Sequence, residues 1–156
     1  MTNEWRHLPA PARPIAAATA AAVAAARDKD QAALTDAVAE LTAQDQTQAG
    51  LILGTAVRLL LEDAHPDGLG ADEVRAVLAE SVRAAAAWCP RVDPHTTLYL
   101  LAGALGVWED DGAPPPKPDE LALHAALLIE HLAGPRPVER VLTATLAEIQ
   151  RAQLND

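Results

Sequence analysis

Gly50-Leu51-Ile52-Leu53-Gly54-Thr55-Ala56-Val57-Arg58-Leu59-Leu60-Leu61 is apolar on nearly every side of a helical wheel, with Arg58 its only charge. A helix of that kind is buried on most of its sides. Leu98-Tyr99-Leu100-Leu101, continued by Ala104, Leu105 and Val107, has the same character. The other periodic segments are amphipathic and would wrap around these two. The expectation is an all-α, single-domain bundle of about seven helices, built as antiparallel helical hairpins around two central apolar helices, the third and the fifth.

Composition agrees. Half of the 156 residues are apolar yet only 3% are aromatic and none is Phe, so Ala, Leu and Val must fill the interior. Alanine is the best helix former, and small side chains let helix axes approach closely. Ala, Arg, Pro and Gly abound while Lys and Asn are scarce, as expected of a GC-rich bacterial coding sequence.

Gly50-x-x-x-Gly54 puts two glycines on one face of the third helix, and Gly103 lies inside the fifth. Glycine in a helix interior costs about 1 kcal/mol relative to Ala. Close backbone contact between the central helices is the first reason expected for them. The alternative is an apolar pocket near Gly54, Gly103 and Tyr99, where missing side chains leave room for a ligand.

Punctuation places the remaining elements. Residues 1–13 read as an irregular arm with Trp5 and Leu8 as anchors, and residues 14–156 as the helical domain. Pro14 opens the first helix, which runs to Arg27. Asp30 caps the second, with Leu34, Val38 and Leu41 at helical spacing. Asp45 and Gln48 have capping-box spacing ahead of the third. His65-Pro66-Asp67-Gly68 breaks the chain before a fourth helix ending at Cys89-Pro90. Asp93 and Pro94 open the fifth, Pro118 the sixth, and Pro137 the last, whose apolar face is Val138, Val141, Leu142, Leu146 and Ile149. That face is expected to pack on the body, with a twofold homodimer as the alternative.

Charge sets limits on partners. With 12 Lys and Arg against 22 Asp and Glu, the net charge is −10. Nucleic-acid affinity rests on Lys and Arg displacing counterions from phosphates, so no nucleic-acid partner is expected. Anionic membranes are disfavoured equally, and no run of about 20 strongly apolar residues exists to span one. Arg6 and Arg13 before Ile15–Ala26 mimic a secretory signal, but alanine is a weak signal core and four acidic or proline residues interrupt the lead. One cysteine, Cys89, forms no internal disulfide, which suits the cytoplasm.

Candidate sites are sparse. Asp63-x-His65-x-Asp67-Gly68 opens like a calcium loop, but Val74 stands where the bidentate Glu belongs. Glu120 and His124 lie one turn apart on the sixth helix, and His131 lies about 10 Å beyond, too far to share an ion. A solvated stripe is the expected reading of all three. Cys89 and His95 flank a turn, where the helix dipoles oppose an activated pair. Ser81 is the only serine, and no nucleophile elbow, phosphate loop or dinucleotide fingerprint occurs. No catalytic residue, metal or cofactor is therefore expected.

The long connection Val107–Pro118 is the strongest candidate for binding. Trp108 beside Glu109, Asp110 and Asp111 could anchor in a partner pocket, and the proline run around Pro115 is stiff before binding. The leading expectation is a non-catalytic cytoplasmic interaction or regulatory module that binds a basic protein partner. A helical domain with an apolar small-molecule pocket comes second, and a helical enzyme third.

Overall fold

The computed structural model describes residues 12–107 and 112–154. Among them the chain forms α1 (Ala12–Arg27), α2 (Gln31–Thr42), α3 (Gln46–Ala64), α4 (Ala71–Ala86), α5 (Pro94–Leu105), α6 (Pro118–Ala133) and α7 (Val138–Leu154), with no strand. The arm read at residues 1–13 lies outside the described residues up to Pro11, and α1 begins two residues before Pro14.

Aspartates start three of these helices. The Asp30 carboxylate accepts from the Ala33 N–H at 3.1 Å, Asp45 from Gln48 at 3.1 Å, and Asp93 from His95 at 2.9 Å. Each supplies an acceptor to an N–H that has no partner inside the helix. At Asp45 only this half of the capping box is in place. The Gln46 side chain donates instead to the Leu41 and Gln44 carbonyls at 3.1 and 2.7 Å, closing the α2–α3 turn. At α4 the other half stands alone, the Glu73 Oε1 accepting from the Gly70 N–H at 2.7 Å while Gly70 has no side chain to return the contact.

The central pair is α3 and α6, not α3 and α5. Helix α6 packs against every other helix, and its run from Ala122 to Ile129 is buried without a break. Helix α5 buries only Thr96, Thr97 and Leu101, leaving Leu98 38% exposed. Its apolar character on all sides does not mean burial on all sides, because one face looks into a cleft. Hydropathy alone cannot separate the two cases, since a cleft wall and a core wall use the same residues.

α1 and α2 form an Ala-rich hairpin against α6, with Ala16, Ala22 and Ala26 fully buried. Helix α7 turns Val138, Val141, Leu142 and Thr145 inward against α3 and α1. Of the face weighed as a dimer surface, Val138, Val141 and Leu142 are thus packed on the chain's own body, while Leu146 and Ile149 are half-buried. Among the described residues no helix is long and apolar enough to cross a membrane.

Candidate functional site

Three helix faces, each set by residues four apart, converge on one cleft. α3 contributes Gly50, Gly54 and Arg58; α5 contributes Tyr99 and Gly103; α6 contributes Leu121 and Ala125. Residues i and i+4 stack on one face of a helix, so each set presents a continuous strip. The cleft measures about 410 Å³, and Leu51, Leu53, Leu100 and Ala104 complete its apolar lining. A smaller depression of about 130 Å³ shares Gly50, Leu53 and Leu121 with it and extends toward Gln46 and Pro118.

The glycines reverse the first sequence expectation. Among the described residues, a Cβ built at Gly50, Gly54 or Gly103 would meet nothing within 4 Å outside its own stretch of helix. No neighbouring helix approaches their backbones closely, so close packing is not why they lack side chains. They face the open cleft, and the structure brings Gly54, Gly103 and Tyr99 together around it.

Arg58 closes one end. Its Nη1 lies 3.2 Å from Glu62 and its Nη2 3.3 Å from Glu148. Glu148 in turn takes a 2.6 Å bond from Arg151. That bond, and then the one from Arg58, hold the Glu148 carboxyl below the ordinary carboxylate range, against partial burial. Two cations and two carboxylates cancel, so this end is polar but locally neutral. Among the described residues the lining holds Thr55, Arg58 and Tyr99 as its polar side chains and no carboxylate, imidazole or thiol. It offers hydrogen bonds and apolar surface rather than an acid–base pair poised near neutral pH.

The other candidates separate. Trp108, Glu109, Asp110 and Asp111 lie outside the described residues, and Pro115 is exposed in the extended segment leading to α6. Asp63 pairs with Arg136 at 3.1 Å, which uses the first residue of the calcium-like sequence in a helix-end contact. Cys89 is buried in the core and His95 is exposed. Ser81 is buried with its hydroxyl donating to the Leu78 carbonyl at 3.3 Å. Among the described residues no group of three or more His, Cys, Asp or Glu could hold a metal ion.

The Glu120–His124–His131 stripe is not solvated as expected. His124 is only 1% exposed. Its Nδ1 lies 2.7 Å from the Glu120 carbonyl oxygen, and its Nε2 accepts from the Asp93 N–H at 2.9 Å. His131 is half-buried, 4.0 Å from Glu80 of α4. The sequence signal for His124 was its position inside Leu121–Ile129, where it is the one polar residue of an otherwise apolar run. Compared with protein families, curated proteins and solved structures, the chain matches none.

Proposed function

We propose that the chain is a non-catalytic binding domain whose α3–α5 cleft takes a small apolar molecule. One observation carries this reading: mid-helix glycines on two facing helices open into space rather than onto a neighbour. Each lowers helix stability by about 1 kcal/mol against Ala, with no packing gain to offset it. Proteins depart from local stability rules mainly at functional sites. The volume, about 410 Å³, falls within the range of roughly 300–1,000 Å³ usual for ligand pockets. Tyr99 and Arg58 supply the few polar contacts that would orient such a ligand.

Thermal unfolding with a panel of apolar probes (fatty alcohols, indole, naphthalene derivatives) tests it. A ligand held by the native state at 100 times its Kd adds about 2.7 kcal/mol. The melting temperature of the wild-type chain should rise, and Gly54→Leu or Gly103→Leu, which fill the cleft, should abolish the rise. A panel that raises none of the three melting temperatures, or raises all three equally, would overturn the proposal.

A basic protein partner is the second reading, favoured by the net charge of −10 and the exposed Pro115 segment. It predicts a partner complex that dissociates as salt rises. A complex insensitive to salt would count against it.

A further inference from the structure

We propose that His124 is an acid-sensitive latch that ties the start of α5 to α6, and that its protonation frees the α5 wall of the cleft. Both ring nitrogens are used, and only one protonation state satisfies both partners. A carbonyl at Nδ1 requires a hydrogen there, and an N–H donor at Nε2 requires a lone pair. The bonds to Glu120 O at 2.7 Å and from Asp93 N–H at 2.9 Å therefore assign the neutral Nδ1–H tautomer. A second proton would sit on Nε2, pointing at the Asp93 N–H. The bond would become a donor–donor clash in a buried position.

The latch acts at the first turn of α5. Asp93 is the N-cap of α5, with its carboxylate on the His95 N–H and its own N–H on His124. That turn holds Thr96 and Thr97, and beyond it α5 buries only Leu101. Losing the anchor at Asp93 detaches the end of a helix that carries Tyr99 and Gly103 into the cleft.

The charges that bear on the ring come from two places. Asp93 and Arg91 belong to the α4–α5 turn, and Glu120 lies one turn back on α6; among the described residues, α1, α2, α3, α4 and α7 bring no charge that shifts the ring. Arg91 is itself drawn toward Asp119 of α6 at 3.6 Å. Burial is the largest influence and lowers the His124 pKa; the Glu120 carbonyl and the two carboxylates raise it by less. The latched form thus resists protonation, while a released ring titrates near the ordinary value of about 6.5. Released chains then gain roughly tenfold over latched ones for each pH unit below about 6.5, until the lowered pKa is reached.

Amide hydrogen exchange across α5, corrected for intrinsic rates between pH 7.5 and 5.0, reads this directly. Opening of α5 should rise roughly tenfold per pH unit below about 6.5 in the wild-type chain. His124→Gln, which keeps an acceptor toward Asp93 and does not titrate, should remove that dependence. His95→Asn should keep it, which separates the latch from the exposed histidine on α5. Flat α5 protection in the wild type, or an unchanged pH dependence in His124→Gln, would overturn the proposal. Nitrogen NMR of the wild type covers the case in which the variant fails to fold. His124 protonation must then coincide with loss of the Asp93 amide bond, and protonation without that loss would also overturn it.

Discussion

At the scale of single residues, glycine carries opposite meanings at two kinds of position. Gly54 and Gly103 have ordinary helical backbones, and among the described residues nothing beyond their own stretch of helix lies within 4 Å of a would-be Cβ. Ala there should stabilise the fold by about 0.5–1 kcal/mol per site, since helix propensity improves and nothing clashes. Gly106 has φ of +73° and ψ of 22°, the left-handed conformation that ends α5, whereas Gly134 ends α6 with φ of +58° and ψ of −130°, a conformation open essentially to glycine alone. Ala should cost about 1–2 kcal/mol at Gly106 and more at Gly134. Urea denaturation of the four variants checks both signs, and destabilisation by Gly54→Ala would mean the cleft is closed in solution. The presence of the mid-helix glycines was legible in the sequence, but their reason was not. Spacing cannot say whether a partner helix or empty space lies opposite. His124 was misread for a related cause: its polar atoms are satisfied by a carbonyl on its own helix and an N–H far along the chain, and neither shows in a hydropathy pattern.

At the scale of elements, the starts of helices were the most legible part of the chain. Asp30, Asp45 and Asp93 each cap the helix assigned to them, because the capping bond needs only residues two or three positions apart. Asp30→Ala and Asp45→Ala should each cost about 1 kcal/mol in chemical denaturation, as lost caps do. Asp45→Ala should fall near the lower end, since Gln46 still bonds the α2 carbonyls and holds the turn. Equal, negligible costs at both sites would show that tertiary packing alone sets these helix ends. Which helix lies at the centre was less legible than where each begins. α6 carries Glu120, His124, Glu130 and His131 and reads as amphipathic, yet it touches all the others. α5 reads as the more apolar of the two and lines a cleft instead. Burial depends on what stands opposite each face, and that is a property of the assembled helices.

At the scale of the whole molecule, cohesion at one end comes from two arginines bonded to backbone carbonyls and one carboxylate. Arg27 donates to the Gly134 carbonyl at 3.0 Å and to the Arg136 carbonyl, tying α1 to the α6–α7 turn. Arg136 reaches Asp63 at the end of α3 at 3.1 Å. Elsewhere the net charge of −10 works against compactness. Raising NaCl from roughly 10 to 200 mM shortens the Debye length from about 30 Å to below 10 Å, so the melting temperature should rise by about 2–4 °C. Acidification has two opposed effects. Protonating surface carboxylates relieves the repulsion and stabilises the fold. His124 acts the other way: its lowered pKa means the unfolded chain binds the proton more readily. Its contribution is therefore fully present above about pH 6.5 and is lost as pH falls toward the folded value. Wild-type stability alone mixes the two effects, but the gap between wild type and His124→Gln isolates the second. In urea denaturation the gap should be constant above pH 7. Below about 6.5 it should shift against the wild type by up to about 1.4 kcal/mol per pH unit. A gap that stays constant down to pH 5 would mean that His124 titrates alike in the folded and unfolded chains, and that burial does not hold it neutral.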